Sequence, residues 1–260
     1  VSNRKKALVT GASRGIGKAI LLELSRRGYE TGLHYHRERE EAEKTAQLIA
    51  DQGGKCHLLQ ANLGNPDEVA RMGEEAWAAM GGVDFLVNNA GVSYKKHFLD
   101  TTVEDMDLFM NVNFKGTVVL TQVIARKMVE TATEGSIYTI TSVNGVRPGL
   151  GFSAYGASKG ALEIAMQGAA MELAPHNIRV NTIAVGAVQT DLNVAVTSNS
   201  ELLKSVNEGI PLGRFGQTKE VAAVVADLLA SGSYLTGSSI VLDGGLLLMR
   251  GYGKPEKYSV

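Results

Sequence analysis

Thr10-Gly11-Ala12-Ser13-Arg14-Gly15-Ile16-Gly17 follows the apolar run Lys6-Ala7-Leu8-Val9 and leads into a segment of helical period over 17–27. The glycine spacing is GxxxGxG. A turn of this kind between a first strand and a first helix has a specific physical use. Gly11 permits the tight turn, Gly15 lets the backbone reach a pyrophosphate, and Gly17 packs the helix against the strand. The phosphates then lie at a helix N-terminus, against unpaired N–H groups and the positive end of the helix dipole. A glycine-rich turn on its own is a weak signal, so its context decides the reading.

Short apolar runs that read as strands cover 7–10, 31–35, 55–60, 85–88, 136–141, 179–184 and 239–242. Between them, helical periods cover 17–27, 38–52, 67–80, 103–129, 153–174 and 219–230. Strands without polar alternation, separated by helices, predict a parallel sheet covered on both faces. The expected fold is α/β: a single Rossmann-type, doubly wound domain over 1–260 with seven parallel strands. The least regular stretch, 189–213, is expected to serve as a substrate-binding loop or lid.

Composition agrees with that class. Hydrophobic residues make up 44% and charged residues 20%, close to a soluble globular average. The 26 basic and 27 acidic residues nearly cancel, so no global field recruits nucleic acid or an anionic membrane. Glycine numbers 30 of 260, against about 18 at the usual level of about 7%, which marks many close backbone approaches. The single cysteine, Cys56, excludes an intrachain disulfide framework and a CxxC zinc site, and reads as a buried small hydrophobe. With no apolar run of membrane-spanning length and no leader-like segment before the first strand, a cytoplasmic location is expected, with no metal.

The choice of nicotinamide cofactor turns on the end of the second strand. An acidic residue there would hydrogen-bond a ribose 2′-OH. The strand ends His34-Tyr35-His36-Arg37, with no carboxylate before Glu38. Arg14 and Arg37 flank the expected 2′ position and favour NADP(H) over NAD(H).

Tyr155-Gly156-Ala157-Ser158-Lys159 opens a helix and sets tyrosine and lysine on one face. Ser142 closes the preceding strand, at the C-terminal edge where open α/β sheets bind ligands. Asn113 lies in the helix after the fourth strand, which ends Asn88-Asn89-Ala90-Gly91. These motifs, with the terminal Leu242-Asp243-Gly244-Gly245, resemble the short-chain dehydrogenase/reductase family in order and spacing over essentially the whole chain. The resemblance implies a nicotinamide cofactor and an assembly that is usually a tetramer, less often a dimer.

Reducing a ketone needs a hydride for carbon and a proton for the developing alkoxide. Tyr155 is the candidate acid/base, and an isolated tyrosine has a pKa near 10. Bringing it to about 7 requires roughly 4 kcal/mol of preferential phenolate stabilisation. The Lys159 ammonium, together with a cationic nicotinamide ring, is expected to supply it, while Ser142 donates to the substrate oxygen. By resemblance, Asn113 anchors a water that links Lys159 to solvent, and Lys159 holds the nicotinamide ribose. Asn89, Ala90 and Gly91 would lie along the cofactor. Gly186, the Val188 backbone and the Thr190 hydroxyl would meet the nicotinamide carboxamide. Val185 stands before Gly186 where the family has proline, which is expected to loosen the turn slightly. Asn62 and Leu63 occupy the place where the adenine amine is met, and Asn62 can accept through its carbonyl.

Substrate readings diverge. A 3-oxoacyl-thioester reductase, with its substrate on an acyl carrier protein, is placed first. Arg126 and Lys127 fit a carrier-binding patch, but His176 stands where a further arginine is expected. A sugar or polyol dehydrogenase is the alternative, with Asn144 and Asn193 binding hydroxyls. Ser93-Tyr94-Lys95-Lys96-His97 could hold an anionic group or form a solvated loop. A non-catalytic NADP-sensing or scaffold protein is the reading from another class, and such proteins typically lack the tyrosine or lysine present here. The small residues Gly168-Ala169-Ala170 suggest a subunit contact, and the tail over 249–260 frays or crosses to a neighbour.

Overall fold

A computed structural model of the protein describes residues 4–190 and 198–249. Seven parallel strands form the main sheet: β1 (Lys6–Val9), β2 (Glu30–Tyr35), β3 (Cys56–Gln60), β4 (Phe85–Asn88), β5 (Ser136–Ser142), β6 (Arg179–Val185) and β9 (Ser239–Leu242). A separate parallel pair, β7 (Val188–Gln189) and β8 (Gly216–Gln217), lies between β6 and β9 in the chain. The sheet order is β3-β2-β1-β4-β5-β6-β9. The chain therefore winds outward from β1 in one direction, then restarts at β4 on its other side. That reversal opens a crevice at the carboxyl ends of β1 and β4, where Gly11 and Asn89 lie.

Both faces are covered. On one face α1 (Gly15–Arg26) and α2 (Arg39–Asp51) bury Ile20, Leu21, Leu24 and Ile49 in a core shared with the inward faces of β1 and β2. The other face carries α3 (Pro66–Met80), where Met72 and Ala76 pack into a second core. The inner strands β1, β4, β5 and β6 are buried almost throughout, whereas the edge strands β3 and β9 are partly exposed. Cys56 is half-buried against the first core, and burial pushes its thiol pKa up, which makes it a poor nucleophile.

The helix expected over 103–129 is three segments. These are α4 (Val103–Phe109), a π-helical turn (Met110–Lys115) and α5 (Gly116–Glu130). A Cβ on Gly116 would lie 2.2 Å from the Leu63 carbonyl oxygen, so α5 begins in backbone contact with the end of β3. The run 103–130 is long and apolar enough to span a membrane by length and composition. Here it serves as a core helix, with Leu120, Ile124 and Met128 fully buried.

Ser142 passes into a short turn, α6 (Val143–Val146), and then into α7 (Ser153–Leu173). The irregular stretch over 189–213 contains an unexpected helix, α8 (Ser200–Glu208), capped by Asn199. None of its residues is buried, so it carries no core stripe for the sequence to reveal. The last helix, α9 (Thr218–Ser231), packs Val225 and Leu229 with α1 in the first core. Residues 191–197, which include Asn193, and the tail beyond 249 lie outside the described residues.

Candidate active site

The glycine turn is held by side chains from three strands. Gly11 has φ +62°, and a Cβ there would lie 2.9 Å from Ala90 Cα. Gly17 has no room for a side chain, since its Cβ would sit 2.3 Å from the Gly11 carbonyl oxygen. The Thr10 hydroxyl accepts from the backbone N–H of Asn89 (2.9 Å) and of Ala90 (3.0 Å). The Asn89 amide returns two bonds, to the carbonyls of Thr10 (2.9 Å) and Gly11 (3.2 Å). The Gly11 N–H donates to His34 Nδ1 at 3.1 Å, and His34 Nε2 lies 3.1 Å from the Ala61 carbonyl. That pair of bonds assigns the neutral tautomer with hydrogen on Nε2. Burial pulls the His34 pKa down to about 4. Thr10 and His34 were not singled out from sequence, because their partners come from β3 and β4.

This cradle fits a pyrophosphate. α1 starts at Gly15 with no side-chain cap and no acidic residue in its first turn, whereas α3 and α4 start on capping Asn65 and Thr102. Its leading N–H groups are free for phosphate oxygens. Ser13 is buried beneath the turn, and Ile16 anchors the helix start on the first core. Gly15 has φ +59°, and its Cβ position is 3.9 Å from Thr190 Cγ2. The turn and the segment after β6 therefore face each other.

At the 2′ position the picture is more mixed. Arg14 reaches Glu38 at 3.7 Å, both partly exposed, while Arg37 is exposed. Asn62 uses its side-chain oxygen to accept from the Gly64 N–H at 2.9 Å, which leaves one lone pair for another donor. Leu63 is buried in the second core, so only its backbone can face a cofactor. Gly186 is needed for close approach: its Cβ would lie 2.7 Å from Asp243 Cα. The Gly186 N–H bonds the Leu242 carbonyl at 3.0 Å, and Val188 is buried beside it. Those contacts fix the turn that lacks the family's proline.

Ser142, Tyr155, Lys159 and Asn113 converge at the carboxyl ends of β4 and β5. Tyr155 sits between Phe109 and Phe152, with ring centroids at 6.0 and 5.9 Å in edge-on arrangements. Burial pushes its phenol pKa up, opposed by hydrogen bonds with Ser142 and Ser93. Lys159, only 5% exposed, donates from Nζ to the Ile140 carbonyl at 3.1 Å. Burial pulls its pKa down to about 8. Lys159 is thus held on β5 by the Ile140 carbonyl, one helical turn along α7 from Tyr155. Ser93, named in sequence only as part of a loop, is a hydroxyl at the phenol that the motif reading missed.

Asn113 occupies the π turn, fully buried. Its Oδ1 accepts from the Val92 N–H (2.8 Å), and its Nδ2 donates to the Val92 carbonyl (3.0 Å) and to Ser158 Oγ (3.0 Å). The amide thus ties the loop after β4 to α7, and the widened helical turn brings it there. π turns recur at functional sites for such reasons. A Cβ on Gly91 would lie 3.0 Å from Asn113 Oδ1 and 3.3 Å from Lys159 Nζ, so that loop closes directly over the lysine.

Outside this centre, several expected roles change. Asn144 folds its Oδ1 to within 2.5 Å of the Cβ position of Gly149, beneath the loop before α7. Lys96 pairs with Asp105 of α4 at 2.5 Å, and Tyr94 donates to the same carboxylate at 2.6 Å, while Lys95 is exposed. Arg126 is exposed, but Lys127 is shared between Glu74 (3.1 Å) and Glu130 (3.7 Å). His176 is exposed after α7. Ala170 packs inside the second core, while Gly168 faces open space. Among the described residues no cluster of metal-ligating side chains occurs.

A family model described as enoyl-(acyl carrier protein) reductase matches residues 11–247. The chain is 37% identical over 244 residues to a 3-oxoacyl-(acyl-carrier-protein) reductase of Aquifex aeolicus, covering 93% of this chain and 97% of the relative. An acetoin dehydrogenase structure from Enterobacter cloacae superposes with TM-score 0.89 at 38% identity, covering 98% of this chain and all of the other. A short-chain dehydrogenase from Burkholderia cenocepacia, solved in complex with NADP, superposes with TM-score 0.87 at 33% identity over 94% and 98% of the two chains.

Proposed function

The chain belongs to the short-chain dehydrogenase/reductase family and is an NAD(P)-dependent oxidoreductase, and from that premise we propose that it interconverts a small, largely apolar ketone and its secondary alcohol. The bound nicotinamide supplies or accepts the hydride. Tyr155 gives its phenolic proton to the carbonyl oxygen in reduction and takes it back in oxidation. Ser142 donates to the same oxygen and steadies the alkoxide. Lys159 holds the cofactor ribose, and Asn113 keeps the loop after β4 and α7 in register for both.

The aromatic wall of Phe109 and Phe152 around the Tyr155 ring carries the substrate reading. Rings of this kind suit a compact ketone with apolar substituents better than a polyhydroxylated sugar, whose hydroxyls would lose water without gaining partners. Asn144, a proposed sugar ligand, is turned under the loop before α7. The acetoin dehydrogenase likeness points the same way. An acyl thioester on a carrier protein is the second reading. It is favoured by an open surface groove carrying the exposed apolar side chains Phe98, Leu99 and Leu150, although none of the four catalytic side chains lines it. The pairing of Lys127 with two acids weakens the carrier patch.

NADP(H) is the preferred cofactor in this proposal, through Arg14 and Arg37, with the exposed Arg14–Glu38 pair free to exchange one anion for another. The enzyme works in the cytoplasm as a homotetramer. Ile164 and Met171, 71% and 80% exposed, line one face of α7 with Gly168 between them, and that apolar strip calls for a partner. A sensor without turnover is disfavoured because all four catalytic side chains are in place. NADPH oxidation followed by absorbance tests the substrate proposal across diacetyl, acetoin, an acetoacetyl thioester and several keto-sugars. Preference for diacetyl or acetoin is expected. A thioester preference of tenfold or more in kcat/KM would move the second reading to first place. No turnover with any carbonyl would revive the sensor.

A further inference from the structure

Three consecutive residues at the end of β5 serve three residues one helical turn apart on α7. Ser142 bonds Tyr155, the Ile140 carbonyl takes the Lys159 ammonium, and the Thr141 hydroxyl donates to Glu163 Oε1. The second Glu163 oxygen accepts from the Thr182 hydroxyl of β6 at 2.5 Å. Glu163 is 8% exposed and, among the described residues, has no ion-pair partner within 4 Å, which is a costly placement for a carboxylate unless its charge is used or neutralised. It lies four residues beyond Lys159, on the same helix face.

We propose that Glu163 is a positioning residue for the reaction: its carboxylate, fixed between β5 and β6 by Thr141 and Thr182, is the counter-charge that keeps Lys159 an ammonium inside the fold. This rests on the reading above in which Lys159 works as a cation. The surroundings of Lys159 support it. Around the ammonium are the Ile140 carbonyl of β5 and Gly91 of the loop after β4, whose Cβ position lies 3.3 Å from Lys159 Nζ and 3.0 Å from Asn113 Oδ1, while Tyr155 and Glu163 stand one helical turn to either side of Lys159 on α7. Glu163 is the one charged group among the described residues that acts on it. Burial alone favours the neutral amine, and the carboxylate opposes that loss. The geometry divides the work: β5 fixes where the ammonium sits, and Glu163 fixes how long it stays charged as pH rises.

The test is a titration of Lys159 itself, read by NMR on protein carrying labelled lysine side chains and assigned by the signal lost in Lys159→Met. In Glu163→Gln the Lys159 midpoint should fall by roughly one pH unit. The alkaline limb of kcat/KM for alcohol oxidation should move down with it, with acetoin or 2,3-butanediol as the trial substrates. Thr182→Val keeps the charge and removes one hydroxyl, so it should lower the melting temperature and leave the Lys159 midpoint in place. If Glu163→Gln does not fold, Thr141→Val/Glu163→Leu/Thr182→Val replaces the whole cluster with apolar groups and should show the same fall. An unmoved midpoint in a folded Glu163 variant overturns the proposal. Full activity in Lys159→Met would instead remove the reading on which it rests.

Discussion

The two sides of the cofactor crevice are built by opposite means. At β1 the working groups are backbone N–H donors, and side chains hold them in place: Thr10, His34 and Asn89 all bond the main chain around Gly11. At β5 and α7 the working groups are side chains, and the main chain holds them: Lys159 rests on the Ile140 carbonyl and Asn113 on Val92. The difference predicts how each side fails. Where a side chain does the chemistry, activity can be removed without touching the fold. Where the backbone does the binding, nearly every change that harms binding also harms stability.

Tyr155→Phe is the strongest way to test that separation. The variant ring keeps its edge contacts with Phe109 and Phe152 and loses only the proton donor. Turnover should fall by roughly 10²–10⁴-fold, with NADPH affinity and melting temperature close to the parent. Steady-state kinetics and a thermal melt on the same preparation check it. Activity within tenfold of the parent would remove Tyr155 from the mechanism.

On the backbone side, His34 makes acid the probe. The folded ring resists protonation until about pH 4, whereas an unfolded histidine takes a proton near 6.5. Across that window the unfolded chain binds more protons. Stability is therefore complete above about 6.5 and declines as pH falls through the window, by up to roughly 3 kcal/mol. NADPH affinity of the folded protein should hold through that window and fall only near pH 4, where a protonated Nδ1 can no longer accept from the Gly11 N–H. His34→Gln, which keeps an acceptor and a donor but does not titrate, should flatten that share of the slope in urea melts at pH 7, 6 and 5. Equal slopes in the two proteins would mean that the ring does not couple pH to the turn.

Gly17→Ala is expected to be milder and mixed. Its Cβ would press on the Gly11 carbonyl at 2.3 Å, and a backbone atom cannot swing aside. The cost should be about 1–3 kcal/mol in stability, with weakened NADPH binding in the same variant. A variant that loses binding with unchanged stability would break the contrast between the two sides.

The same contrast explains what the sequence made legible. All seven main strands and the glycine turn could be read, because a short run rich in buried apolar residues between helical periods marks a parallel strand and only glycine fits at Gly11 and Gly17. Tyr155 and Lys159 could be read because helical spacing puts them on one face and Ser142 and Asn113 stand with them in the family's order and spacing. The holders could not. Thr10 and Asn89 are 79 residues apart, and Thr182 meets Glu163 only because β6 lies beside β5. The π turn at Asn113 was also hidden: apolar period continues through 103–129, and the widening answers to Val92 and Ser158, which are remote in sequence. Charge patches misled for a related reason. Lys127 reads as a free cation until Glu74 on α3 and Glu130 on its own helix are seen to share it.

The smallest expected effect lies at the edge of the backbone side, where a side chain reads the cofactor for once. Arg14 stands at the N-cap position of α1 with no side-chain bond to the helix, and its ion pair with Glu38 at 3.7 Å lies on water-accessible surface. Such a pair contributes about 0–1 kcal/mol to the fold, so Arg14→Ala should leave the melting temperature nearly unchanged. A 2′-phosphate would draw the guanidinium away from Glu38 and pair with it directly, a charge-assisted bond that NADH cannot make. Arg14→Ala should therefore raise KM for NADPH by roughly 5–10-fold, consistent with loss of one partly exposed charged hydrogen bond, and leave KM for NADH in place. Glu38→Gln should do the reverse, easing NADPH binding by removing a like charge from the 2′-phosphate. An Arg14→Ala protein that loses NADPH and NADH equally would place the arginine with the pyrophosphate instead, and cofactor preference would then rest on Arg37.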